Sequence, residues 1–237
     1  MYHRGVRTMK RIAIYGKGGS GKSTVSCALS CHYAGTGLKV LQVGCDPKAD
    51  STLALTDGKR ITTLLDLLAE GKARPKPEEF VVEGRNGIDC IEAGGPAPGA
   101  GCGGRGIARM FELFEELEFL PSRKYDVVIF DVLGDVVCGG FAAPLRYGFA
   151  ERAFVVVSGD PLSLFAANNI ILAANAYHMN GVRLGGLITN VFDDEAGGEH
   201  ETGENVSTPG TRPGRTPPRG DAPQSTRVRR PHGRDTC

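Results

Sequence analysis

The segment Gly16-Lys17-Gly18-Gly19-Ser20-Gly21-Lys22-Ser23-Thr24 has the residue types needed to hold a polyphosphate. It follows the apolar run Ile12-Ala13-Ile14-Tyr15, so the pattern G-x-x-x-x-G-K-[ST] stands between a strand and a helix, the setting its chemistry requires. Its glycines let backbone N–H groups curl around phosphate oxygens with no Cβ in the way. In such a loop Lys22 reaches the β- and γ-phosphates and the Ser23 hydroxyl ligates Mg²⁺. Lys17 is a second lysine, either solvated or aimed at another molecule's phosphate. Asp131 closes the apolar run Asp126-Val127-Val128-Ile129-Phe130, the position from which a carboxylate supports Mg²⁺ through water. In the turn Gly44-Cys45-Asp46-Pro47-Lys48-Ala49-Asp50-Ser51-Thr52, Asp46 is placed to orient an attacking water and Asp50 to contribute to the Mg²⁺ surroundings. Without the glycine loop beside it, that stretch would read equally well as an ordinary turn after a strand.

Two of the seven cysteines differ from the rest in their surroundings. Cys102 lies in Gly99-Ala100-Gly101-Cys102-Gly103-Gly104-Arg105-Gly106, and Cys138 in Gly134-Asp135-Val136-Val137-Cys138-Gly139-Gly140. Flanking glycines keep bulk away and free backbone N–H groups to point at cluster sulfides. A cubane iron–sulfur cluster needs four thiolates, and one chain offers two in such settings. A two-fold dimer supplying two cysteines from each subunit meets the requirement. Only six residues separate Asp131 from Cys138, so a loop that senses the γ-phosphate would pull on a cluster ligand. Cys27 and Cys31, four apart on the first helix, read as core thiols, and Cys45 and Cys90 as structural thiols at strand ends. His178 reads as surface or a helix cap.

The elements that must position these groups are legible in the apolar pattern. Strands are expected at 11–15, 39–44, 88–92, 126–130, 153–158 and 184–189, most of them continuous β-branched runs suited to parallel strands covered on both faces. Helices are expected at 22–34, 62–70, 104–118 and 161–178, the third with Ile107, Phe111, Phe114 and Leu117 on one face. Alternating β and α after a glycine loop predict an α/β fold with a doubly wound, mostly parallel sheet flanked by helices. The 237 residues, 41% of them apolar, suffice for one core, expected over 10–192 after an N-terminal extension at 1–9. Residues 193–237 turn acidic and then rich in Pro, Arg, Gly and Thr. They are expected to be disordered, and they resemble out-of-frame translation of a GC-rich gene in place of a real C-terminal segment. A net charge of +1 argues against nucleic acid or a membrane as a bulk partner. With no signal-peptide core and an odd number of cysteines, a cytoplasmic protein is expected.

Segments 16–24, 44–52, 92–106 and 131–141 resemble the nitrogenase iron protein family, ATP-dependent reductases in which a [4Fe-4S] cluster bridges two identical subunits. Four motifs occur in order at compatible spacings, and the resemblance runs from about residue 10 to residue 190. It implies a P-loop NTPase fold with a deviant Walker A loop, in which Lys17 is the signature lysine reaching across the dimer. It implies nucleotide contacts by Gly16, Gly18, Gly19, Ser20, Gly21, Lys22, Ser23 and Thr24, with Asp46 as the hydrolytic carboxylate. Lys48 and Asp50 would then belong to a first switch, Asp131 and Asp135 to a second, and Asn190 would contact adenine. Cys102 and Cys138 would be the cluster ligands, and Arg105 a docking residue that is ADP-ribosylated in some members. The implied cofactors are ATP, Mg²⁺ and one [4Fe-4S] cluster per dimer. The implied partners are a second copy, a larger catalytic reductase component, and ferredoxin or flavodoxin as electron donor. Ser20 stands where the family usually has isoleucine, and nothing after Asn190 matches the family's further strand, adenine-side loop and terminal helices.

Within the family, 46–50 and 103–106 lean toward nitrogenase, whereas 141–145 and 40–42 look more like protochlorophyllide reductase. Reductases acting on nickel-sirohydrochlorin share the pattern. A non-redox ATPase of the partitioning or site-selection type would share the two-lysine loop but has no need of Cys102 and Cys138. A folded fragment without activity is the third reading.

Overall fold

The computed structural model describes residues 9–96, 101–134 and 140–190. Asp135, Cys138, most of the N-terminal extension and the 193–237 tail lie outside the described residues. The chain divides into Met1–Asp194 and Glu195–Cys237, the second wholly outside them.

Among the described residues a seven-stranded sheet runs in the order β3-β4-β2-β5-β1-β6-β7. Its strands are β1 (Lys10–Tyr15), β2 (Val40–Cys45), β3 (Val82–Glu83), β4 (Asp89–Glu92), β5 (Val127–Val132), β6 (Arg152–Val157) and β7 (Arg183–Thr189). Every pairing is parallel except β3 with β4. The antiparallel β3 was not expected; two residues are too few to show a pattern.

The long helices fall where periodicity puts them: α1 (Lys22–Gly35), α2 (Leu64–Ala69), α4 (Gly103–Glu116) and α7 (Pro161–Ala176). Short α3 (Pro77–Phe80), α5 (Phe119–Arg123) and α6 (Ala143–Arg146) are additions. A capping box starts α2, with the Thr63 hydroxyl accepting from Asp66 N and the Asp66 carboxylate accepting from Thr63 N. Asp160 caps α7 ahead of Pro161.

Strands buried on both faces feed two apolar clusters. Tyr15, Leu41, Val43, Val128 and Phe130 point to the side of α4 and α7, while Ile12, Ile14, Val40, Val127 and Ile129 point to that of α1. Phe111 of α4 is central to the larger cluster, with ring centroids 4.9 Å from Phe149, 5.6 Å from Phe130 and 6.0 Å from Phe114. Leu117 is only partly buried, so the expected stripe on α4 fades at its end.

This architecture puts the C-terminal ends of the parallel strands on one edge. There the glycine loop follows β1, Asp46 follows β2, the segment leading to Cys102 follows β4, and Asp131 lies in β5. Loops at that edge are where α/β sheets build ligand sites. Phe111→Ala removes a fully buried ring and should cost about 3–5 kcal/mol in urea unfolding. A loss under about 1 kcal/mol would show that the aromatic cluster does not carry this face of the core.

Candidate functional site

The glycine loop takes the backbone its sequence allows. Gly16, Gly19 and Gly21 have φ of 148°, 86° and 88°, and Gly21 caps α1 in the left-handed region, where a side chain would be strained. Lys17, Gly18, Gly19, Lys22 and Ser23 line a cavity of about 600 Å³ together with Asp46, Lys48, Asp50, Leu133 and Gly134. Six of these ten are residues singled out from the sequence as charged or hydroxyl-bearing partners of a nucleotide. Thr24 is exposed on the first turn of α1, and Gly16 is buried beneath the loop. Gly134 packs so closely on the Gly16 carbonyl that a Cβ would overlap it, so the chain leaving β5 is pressed against the loop.

Asp131 is 4% exposed. Its Oδ2 accepts from the Ser51 hydroxyl at 2.6 Å, while Oδ1 has no partner among the described residues. Burial raises its pKa; the Ser23 and Ser51 hydroxyls and the Lys22 charge oppose that rise. A buried carboxylate oxygen left open beside Ser23 and Lys22 suits a divalent cation. Ser51 is itself fixed from behind. Gln42 Nε2 donates to the Ser51 carbonyl at 3.0 Å, and Ser30 Oγ donates to Gln42 Oε1 at 2.7 Å. This buried chain of hydrogen bonds runs from α1 through β2 to the end of β5.

A second buried carboxylate, not assigned a role from the sequence, lies on the other side of β2. Glu92 ends β4 and is fully buried. Both the N–H and the hydroxyl of Thr52 donate to its Oε1 at 2.7 Å, and Oε2 has no partner among the described residues. Burial pushes its carboxyl up to about 7, against the Thr52 hydrogen bonds, with Asp131 and Asp50 adding repulsion. Gly44 makes room: it sits in register between Asp131 and Glu92, and a Cβ there would overlap the Glu92 carboxylate. An acid ending an apolar strand was the available signal, the same one that marked Asp131.

The remaining expected residues fall around this centre. Asp46 Oδ1 accepts from Lys48 N at 2.9 Å, closing a tight turn in which Ala49 has φ of 52°. Lys17 Nζ pairs with Asp160 Oδ1 of the same chain at 3.2 Å, both side chains partly exposed. Hydrogen bonds from Ser158, Ser163 and Lys17 bring Asp160 down to about 2. Asp160 was not expected here, although Asp-Pro at a helix start was visible. Asn190 donates from Nδ2 to the Ser20 carbonyl at 2.9 Å, so its amide is engaged by the glycine loop itself. Ser20 is buried with its hydroxyl unpartnered among the described residues.

Cys102 caps α4 and is exposed between its glycines. Cys27, Cys45 and Cys90 are buried, and burial raises all three thiols, Cys90 to about 12. Arg105 is exposed one turn beyond Cys102, and both line a groove of about 350 Å³ with Pro96 and Arg109. No cluster of three or more metal-binding side chains occurs among the described residues. The segment carrying Cys138 rejoins the described chain at Gly140, where a Cβ would lie 2.8 Å from the Gly104 Cα. Two residues beyond each expected ligand, the two glycine segments are therefore in backbone contact.

Sheet order, glycine loop and cavity define a P-loop NTPase-type α/β protein. Two solved structures share the fold. The septum site-determining protein MinD of Pyrococcus horikoshii, complexed with Mg-ADP, is 25% identical with a TM-score of 0.56, covering 76% of this chain and 70% of that one. The kinase domain of the Escherichia coli tyrosine kinase ETK is 22% identical with a TM-score of 0.58, covering 84% and 74%. The family model of 4Fe-4S iron sulfur cluster binding proteins, NifH/frxC family, matches residues 10–209, and the chain belongs to that family. It is 50% identical over 186 residues to the nitrogenase iron protein of Methanospirillum hungatei, covering 77% of this chain and 65% of that one. It is equally 50% identical, over 190 residues, to the light-independent protochlorophyllide reductase iron-sulfur ATP-binding protein of Methylorubrum populi, covering 78% and 62%. The chain thus spans just under two thirds of the length of these relatives.

Glu92 makes stability depend on pH. The folded protein holds this proton up to about pH 7, whereas the unfolded carboxyl releases it near 4.5. Stability is therefore complete below the lower value and falls as pH rises through the window, by roughly 3 kcal/mol. Glu92→Gln keeps the shape and the acceptor for Thr52 but has no proton to lose. Urea unfolding from pH 4.5 to 8 should show the variant gaining on the native protein as pH rises. A constant difference would refute the assignment.

Proposed function

We propose that the chain is the ATP-dependent electron-transfer component of a nitrogenase-type reductase. Two copies would share one [4Fe-4S] cluster, held by Cys102 and Cys138 of each. The contact of Gly140 on Gly104 chiefly supports this reading, because it joins the two cysteine-bearing segments on the edge that also carries the phosphate loop. The donor set fits as well: Cys102 is an exposed thiol among glycines, while the buried cysteines are held protonated.

On this reading MgATP lies in the cavity of about 600 Å³. Loop N–H groups and Lys22 hold its phosphates, and Ser23 with Asp131 supports Mg²⁺ through the open Oδ1. Asp46 orients the attacking water. Lys17 exchanges Asp160 for the nucleotide of the second copy, which makes hydrolysis depend on dimer closure. Lys48, Asp50 and Asp135 respond to the γ-phosphate, and Asn190 borders the adenine. The cluster supplies one-electron transfer; the chain's residues set when the dimer closes. Arg105, beside Cys102, faces a larger catalytic reductase component, and ferredoxin or flavodoxin supplies the electrons. The protein works in the cytoplasm.

A protochlorophyllide-type partner is the second reading. It is favoured by residues 141–145 and by the equal identity of the Methylorubrum populi relative.

Oxygen-free purification with iron and sulfide reconstitution should give a brown dimer with about four irons per two chains. Cys102→Ser and Cys138→Ser should each lose the iron and keep MgATP affinity within about twofold, since the sites are separate. Lys22→Ala should weaken MgATP at least about tenfold and keep the iron. A colourless dimer that still binds MgATP would sink the electron carrier and leave the partitioning-type ATPase.

A further inference from the structure

Asp46 and Lys48 line the cavity, and the residue between them does not. Pro47 turns the other way and wedges into the glycine-rich segment that carries Cys102. A Cβ at Gly95 would overlap the Pro47 ring at Cβ, and one at Gly103 would overlap it at Cγ. Two glycines eight residues apart are thus needed for one proline to touch both ends of the segment that leads from β4 into α4.

The wedge is rigid on both sides. Proline fixes its own φ, and the Asp46 carboxylate accepting from Lys48 N ties the turn around it. Beyond the turn, Thr52 is held by Glu92, the residue from which the Cys102 segment departs. Ala93 N donates to the Gly44 carbonyl at 2.9 Å, so the two segments start from one point. The turn is therefore anchored at Thr52 and leaves the sheet edge at Asp46, with Pro47 between the two. A change at Asp46 moves Pro47, and Pro47 cannot move without displacing Gly95 or Gly103.

We propose that Pro47 is a positioning residue that transmits nucleotide occupancy to Cys102 through the Asp46 turn. This rests on the proposed nucleotide site, and a readout needing no cluster separates the two ideas. In the full chain without iron, the rate of maleimide modification at Cys102 is followed by peptide mass spectrometry, with and without MgATP, and MgATP binding is measured separately.

The Cys102 rate should change at least about fivefold on MgATP binding in the native chain. Pro47→Ala, which removes the ring atoms against Gly103 and keeps Cβ, should bind MgATP within about threefold of native and respond less than about twofold. Gly95→Ala, approaching the same wedge from the other side, should shift the Cys102 rate with no nucleotide present; thermal melting of both variants reports intact folding. A native-sized response in Pro47→Ala, no response in the native chain that binds MgATP, or an unshifted rate in Gly95→Ala would each overturn the proposal. A native chain that binds no MgATP would overturn the nucleotide site and this inference together.

Discussion

Two carboxylates are buried on either side of β2, at the ends of the strands that flank it, and the functional edge is arranged around them. Asp131 and Glu92 flank Gly44 in register, and only a residue without a side chain leaves room for the second. Each is gripped by one of two consecutive residues, Ser51 and Thr52. Burying an acid costs several kcal/mol unless hydrogen bonds replace water, and here one oxygen of each carboxylate is satisfied while the other has no partner among the described residues. The segment 46–52 is thereby clamped to the sheet at Ser51 and Thr52.

The clamp also explains why one edge can serve two chemistries. Parallel strands deliver their successors to the same side, so the loop after β1, the turn after β2, and the segments after β4 and β5 must share a small volume. Glycine decides how closely they approach. Gly134 lies on Gly16, Gly140 on Gly104, and Gly95 and Gly103 on Pro47, each contact excluding a Cβ. On the proposed reading, phosphate groups and thiolates are then served by neighbouring backbones, with no long relay between them.

Much of this was legible from the residues alone. Apolar runs marked β1, β2, β4, β5 and β6 because strands covered on both faces must be apolar; β7 was marked too, although most of its residues are exposed. The glycine loop was legible because its backbone demands are written into residue type. What escaped was tertiary. β3 and α6 are too short for a period, and α5 is bounded by Glu118 and Lys124 in the left-handed region, which their residue types do not announce. Lys17 meets Asp160, 143 positions away, and Glu92 meets Thr52 across 40, so neither pairing has a local signature. Glu92 carried the same mark as Asp131, an acid ending an apolar strand, and the mark alone does not reveal its grip on Thr52.

The distinction between fold and site is sharpest in the segment between β4 and α4. The MinD relative shares the layered sheet at 25% identity, so the sheet by itself does not specify a redox protein. Residues 93–106 do the specifying work in our reading, and their glycine content is a packing requirement before it is a functional one. A chain this poor in side chains gains little from burial and is held by what presses on it: Pro47 from the nucleotide side, Gly140 from the side of β5, and the Leu65 side chain against Gly106. On the proposed reading, the exposed Cys102 thiol would be set by these neighbours, which is the property an ATP-gated electron carrier needs.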